Sequence, residues 1–159
     1  MGILMPLVNQ AATTLVVLAC SATKLDHTAP AIDLYRGVMY STFRANVQPS
    51  REPAVMILSA LHGFINPGSF IEPYDQLMTP ARADAMLAEL DRFMPTAWPA
   101  SARRILCAGG RNYRRVMKAA FARQVELGIL QPDAVVEETT GSIGYQRQQL
   151  GAFLRGDRP

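Results

Sequence analysis

The sequence predicts a three-layer α/β fold, a mostly parallel sheet of about four strands with helices on both faces. Short apolar runs rich in β-branched residues recur along the chain, as strands buried on both faces require. They alternate with longer stretches whose apolar residues return at helical spacing. The 159 residues, 49% hydrophobic and 18% charged, provide enough apolar material for one core without reading as membranous.

Residues 1–12 carry no clear period and read as a loose N-terminal arm, leaving 13–155 as one α/β domain. The run Thr-Leu-Val-Val-Leu-Ala at 14–19 is the first strand, and it ends in Cys20-Ser21. A helix is expected over 31–45, with Ile32, Leu34, Tyr35, Val38, Met39 and Phe43 on its apolar side. The second strand, 55–58, ends in Ser59. A long loop over 60–80, dense in Gly, Pro, Asn, Ser and aromatic residues, has the length expected of a functional segment. Helical spacing resumes over 81–94 through Met86, Leu87, Leu90 and Met94. A third strand at 104–108 runs into Gly109-Gly110, and a helix over 112–127 stops at Gly128. A short strand at 134–136 and a helix over 143–154 complete the pattern.

The net charge of +3 permits an anionic partner without requiring one. Its distribution is more telling: Arg103, Arg104, Arg111, Arg114, Arg115, Lys118 and Arg123 occur in a stretch without a single acidic residue. Cys20 and Cys107 are too few for a disulfide framework, which points to free thiols and a reducing, cytoplasmic setting. Leu18-Ala19-Cys20 imitates a lipoprotein cleavage box. However, no basic residue precedes Lys24, and Pro6, Asn9 and Gln10 interrupt the apolar stretch, so export is not expected. The run at 15–19 is far shorter than the roughly 20 residues needed to cross a bilayer, so no membrane partner is expected.

Ligands of such sheets bind beyond the carboxyl ends of the strands. Three of those ends carry polar residues or glycines: Cys20-Ser21 with Lys24, Ser59 with His62-Gly63, and Gly109-Gly110 with Tyr113. Gly109-Gly110 before a helix is either a phosphate-binding turn or a simple turn. Cys20 is either a nucleophile or a small buried side chain at a strand end. Ser59 lacks the Gly-x-Ser-x-Gly elbow of hydrolases. His27 and His62 have no metal-ligand spacing with each other or with the cysteines, so neither a metal nor a cofactor is expected.

The stretch from Leu58 to Asp75 contains Ser59-Ala60, His62-Gly63-Phe64-Ile65 and Pro73-Tyr74. With Cys20-Ser21 and Lys24, Leu34-Tyr35-Arg36-Gly37, and Tyr113 beyond the third strand, it resembles the family of small bacterial and phage proteins akin to the peroxide-stress protein YaaA. The resemblance spans most of residues 14–150. It implies proteins found around DNA protection and nucleic-acid base modification, with an architecture like that of uracil-DNA glycosylases.

The expected function is therefore an N-glycosidase-type enzyme acting on a base or nucleoside of nucleic acid. Such a reaction needs a ring on which the base stacks, a carboxylate, a proton donor for the leaving base and cations for flanking phosphates. Phe64 and Tyr74 are the candidate rings, Asp75, Glu72 or Asp33 the carboxylate, and His62 or Lys24 the donor, with Ser59 beside them. Cys20, Ser21, Tyr35, Gly63, Gly109 and Tyr113 are candidates for substrate binding, and Arg111, Arg114 and Arg115 for the nucleic-acid backbone. The alternatives are a noncatalytic DNA-binding module and an enzyme of free nucleotides, in which Lys24 and the Gly109-Gly110 turn hold phosphate and the arginines are incidental.

Overall fold

A computed structural model describes residues 12–95 and 97–157. In chain order it contains β1 (Thr14–Ala19), β2 (Ala29–Pro30), α1 (Ala31–Leu34), α2 (Val38–Asn46), β3 (Ala54–Ser59), β4 (Gly63–Ile65) and β5 (Phe70–Ile71). These are followed by α3 (Pro80–Ala88), β6 (Arg104–Ala108), α4 (Arg111–Glu126), β7 (Val135–Glu138) and α5 (Ile143–Arg155). The arm expected at 1–12 lies, except for Ala12, outside the described residues.

The main sheet has the order β4-β3-β1-β6-β7, with β1 parallel to both β3 and β6, β7 parallel to β6, and β4 antiparallel at the edge. β1 is central, with Val16 opposite Val55 on one side and Leu106 on the other. Its side chains alternate between two cores, as a pleated strand requires. Leu15 and Val17 join Met56, Leu58, Ile105 and Cys107 beneath α3 and α4. Val16 and Leu18 join Val55, Ile57, Leu106 and Ala108 beneath α1, α2 and α5. The three layers expected from the sequence are present, and no helix among the described residues is long and apolar enough to cross a membrane.

Three elements differ from expectation. The helix expected over 31–45 is broken, because Tyr35 turns extended (φ −81°, ψ 125°) and bridges to Lys24. Gly37 then passes so close to Ser21 that a Cβ would lie 2.8 Å from the serine Cβ. The segment expected as one helix over 81–94 ends at Ala88, where Glu89 leaves helical geometry, and continues as a 3-10 turn, Leu90–Phe93. The loop over 60–80 contains β4, which doubles back on β3 through Gly63 at φ +82°, and β5, which pairs with β2. Runs of two or three residues are too short to display a period.

Candidate ligand-binding cleft

From β1 the chain moves to β3 on one side, then crosses to β6 on the other. The loops leaving β1 and β6 consequently diverge to opposite faces, opening the crevice in which doubly wound sheets hold their ligands. A cavity of about 470 Å³ occupies this place, bounded by Cys20 to Thr23, Gly37 to Tyr40, Ala108 to Gly110, Tyr113, Ile143 and Gln146. That volume suits a small molecule. No charged side chain lines it.

Helices α2, α4 and α5 all begin at this cavity, after Gly37, Gly110 and Ser142, and none of the three has a side-chain cap. Two of the cap residues are glycines, and the third, Ser142, makes no cap bond. Apart from the Tyr40 N–H, which reaches the Gly37 carbonyl at 3.0 Å, first-turn N–H groups have no partner within their own helix, so three sets of donors and three positive dipole ends surround one uncharged space. Gly109 lets the loop after β6 close against β1: a Cβ there would lie 2.6 Å from that of Ala19. The buried Thr139 hydroxyl secures the same loop, accepting from the Gly109 N–H at 3.0 Å and lying 2.9 Å from the Gln146 side-chain oxygen. Thr139→Val is expected to leave that N–H unsatisfied and to lower stability by about 1–3 kcal/mol in chemical denaturation. An unchanged denaturation midpoint would show that the hydroxyl is dispensable.

Cys20 joins the cleft to a cluster of hydroxyls. Its sulfur lies 3.1 Å from the Tyr113 hydroxyl and receives the Ala60 N–H at 3.4 Å. Ser59 Oγ accepts the N–H groups of Leu61 (3.2 Å) and His62 (3.0 Å), which occupies its lone pairs, so its own proton goes to the Tyr74 hydroxyl 2.6 Å away. Tyr74 also meets the Tyr35 hydroxyl at 2.6 Å. The Lys24 ammonium sits 4.5 Å from the centre of the Tyr74 ring, and His62 packs edge-on against that ring. Tyr40 donates to the Ala19 carbonyl at 3.0 Å, fixing the end of β1.

Burial holds the hydroxyls of Tyr74 and Tyr113 far above the ordinary tyrosine value, reinforced by the nearby Cys20. It also raises Tyr40 and pushes Tyr35 up to about 12. All four keep their protons at neutral pH. Unfolded, they ionise near about 10. Above that pH the unfolded chain binds fewer protons than the folded one, so stability falls as pH rises. In a Tyr145→Phe background, which removes the one exposed tyrosine, we expect alkaline unfolding to begin above about pH 10 and to coincide with the appearance of phenolate absorbance from these four. Phenolate forming in the still-folded variant near the ordinary value would contradict this burial.

The structure brings together Cys20, Ser21, Gly109 and Tyr113 at the cleft, and Lys24, Tyr35, Ser59, His62 and Tyr74 in the adjoining cluster. Phe64 is elsewhere: fully buried against Trp98 beneath α3, it is a core side chain and not a stacking platform. Gly63 makes the β3–β4 turn, where a Cβ would meet Phe93 at 2.6 Å, so it has no room for substrate. Asp75 and Glu72 are exposed and Asp33 is half-buried, and none lines the cavity.

Arg111 is exposed at the start of α4, but the rest of the basic run is not an open cationic face. Arg114 pairs with Glu138 and braces the Gly109 carbonyl, while Arg115 pairs with Asp84. Arg103, Arg104, Lys118 and Arg123 pair with Asp133, Glu137, Glu138 and Asp91. These acidic partners lie outside the run in sequence, so inspecting the run alone hides them. Sequence reasoning also missed Ile143, Gln146 and Thr139, and had Gly37 only as the end of the Leu34-Tyr35-Arg36-Gly37 motif. Gly141-Ser142 before a helix repeats the signal of Gly109-Gly110 and was available to find the third helix start. Among the described residues no group of three or more His, Cys, Asp or Glu is placed to hold a metal ion.

The chain belongs to the DUF6884 family, a family of unknown function, whose model matches residues 15–138. No curated protein matches it. Its fold is similar to that in the crystal structure of AF0587, a protein of unknown function, with a TM-score of 0.51 and 14% sequence identity. The similarity covers 93% of this chain and 46% of that one, so this chain spans about half the length of AF0587.

Proposed function

We propose that this member of the DUF6884 family binds a nucleotide unit in the cleft between β1 and β6, with the phosphate against the helix starts. The meeting of three uncapped helix N-termini over one uncharged cavity carries this reading. Val38 and Ile143, half-exposed at its wall, offer apolar surface to a sugar or base, and Cys20 and Tyr113 offer polar contacts. The pairing of the basic run favours a discrete nucleotide site over an extended arginine face. Each helix start stabilises an anion by about 0.3–1 kcal/mol, so the three together should make a nucleoside monophosphate bind about 5- to 150-fold tighter than its nucleoside. Calorimetry of the two ligands tests this. Ile143→Glu, which adds a negative charge at an exposed wall position, should abolish the difference. Equal affinities for nucleoside and monophosphate, or none for either, would rule the reading out.

A second reading is N-glycosidic bond cleavage on a base, as the resemblance to the YaaA family implies. The observation in its favour is the placing of Lys24 and His62 against the Tyr74 ring, beside the Ser59–Tyr74 hydroxyl pair: Lys24 or His62 would donate the proton to a departing base while the hydroxyls hydrogen-bond to it. Asp75, next to Tyr74, would be the carboxylate that orients water. Asp75→Asn should then stop base release and leave binding intact. If the unaltered protein releases no base from nucleotides or from modified DNA, this second reading fails.

A further inference from the structure

The basic side chains of this protein divide sharply. Among the described residues, all but three have an ion-pair or hydrogen-bond partner. Beyond the paired run, Arg82 donates to the carbonyls of Ala60 and Leu61, Arg44 to that of Ile32, Arg51 to that of Arg155, and Arg147 to Thr42. Arg92 and Arg155 pair with Glu89 and Asp157. The three without such a partner are Lys24, Arg36 and Arg111.

All three are rooted at the cleft. Lys24 follows Thr23, Arg36 precedes Gly37, and Arg111 follows Gly110, and each of those neighbours lines the cavity. Lys24 and Arg36 belong to the β1 side of the opening, held there by the Lys24–Tyr35 bridge and by the Arg36 N–H donating to the Thr23 carbonyl at 2.8 Å. Arg111 opens α4 on the β6 side. Lys24 is half-buried with only two aromatic rings for company, 4.5 and 5.9 Å from their centres. Cations satisfied everywhere except around one opening leave charge there for an external anion. Their division between the two sides of the opening matters. A phosphate chain on a free nucleotide leaves the cleft in one direction, whereas a nucleotide inside a strand has a phosphate going each way.

Resting on the nucleotide reading above, we infer that the unit held in the cleft is part of a single-stranded nucleic acid, whose flanking phosphates are neutralised by Lys24 and Arg36 on one side and Arg111 on the other. Exposed apolar side chains at the same opening, Val38 and Ile143, offer surface to unstacked bases.

The test compares a short labelled single-stranded oligonucleotide, a nucleoside monophosphate and a nucleoside triphosphate over a salt series. The proteins are the unaltered chain, the triple variant Lys24→Gln/Arg36→Gln/Arg111→Gln, and the exposed double variant Arg36→Gln/Arg111→Gln in case Lys24 is needed for folding. The oligonucleotide should bind tightest. The triple variant should lower its salt dependence by about 2 in log–log slope, from about 0.7 per phosphate contact over three contacts, and the double variant by about 1.4. Monophosphate affinity should change little. A control, Arg103→Gln/Arg123→Gln at ion-paired positions, should leave the slope unchanged. If the triphosphate gains as much as the oligonucleotide and loses as much in the variants, the ligand is a free nucleotide and the strand is refuted. If the oligonucleotide binds no better than the monophosphate, or the variants keep the full slope, the inference fails while the nucleotide site stands. If no phosphate-bearing ligand binds, both fall together.

Discussion

Phe64→Ala is expected to lower the unfolding free energy by about 3–5 kcal/mol, the range for truncating a buried aromatic side chain. Phe64 is fully buried, and its ring centre lies 5.6 Å from that of Trp98, itself fully buried. The alanine would leave a cavity that the short antiparallel strand β4, sheet edge on one side, closes poorly. Phe64→Leu keeps most of the volume and should lose much less. Urea unfolding of both variants measures the difference, and ligand titration of the folded protein supplies the contrast. A core phenylalanine changes stability and leaves affinity alone. If Phe64→Ala were as stable as the parent and had lost its ligand, the ring would be a binding surface after all.

Gly109→Ala should destabilise the chain by about 2–4 kcal/mol, combining overpacking with an unfavourable backbone, and should also close the cleft. The added Cβ would sit 2.6 Å from the Ala19 Cβ and 3.4 Å from that of Tyr113, while φ at this position is +156°. Ala19 belongs to β1 and Tyr113 to α4, so neither gives way without moving a strand end or a helix start. The clash also identifies its remedy. Ala19→Gly removes the nearer atom, and the double variant Ala19→Gly/Gly109→Ala should regain part of the stability and of the ligand affinity lost by Gly109→Ala alone. Additive losses in the double variant would show that contact with Ala19 is not why glycine is needed.

Much of the fold was legible because hydrophobic pattern and burial agree along the parallel strands. The continuous apolar runs at 14–19 and 104–108 coincide with β1 and β6, and the helical period over 112–127 matches α4 within a residue at each end. The failures share a physical origin in contacts between distant segments. Ile32 to Phe43 has a serviceable helical period, yet pairing with Lys24 and close approach to Ser21 break the helix at Tyr35–Gly37. Phe64 looked available because it lies in a glycine- and proline-rich stretch, where local composition says nothing of Trp98 packing against it from 34 residues away.

Candidate residues followed the same rule. The position of polar residues and glycines ending strands could be read from the one-dimensional pattern, since a parallel sheet delivers successive strand ends to one edge, and Cys20, Ser59 and Gly109 lie there. Charge could not be assigned so simply. The arginines of 103–123 form a dense block in sequence, but the acidic residues that neutralise all of them except Arg111 arrive from α3, the turn after it, β7 and the loop before β7.

By itself the sequence determined the layers, the strand ends and the chemistry gathered near them, because backbone hydrogen bonding and burial make those consequences of local pattern. Tertiary structure alone decided which cations remain free, which ring is core, and that three helix starts share one cavity. Those properties depend on distances between residues far apart in the chain, and only the folded chain sets such distances.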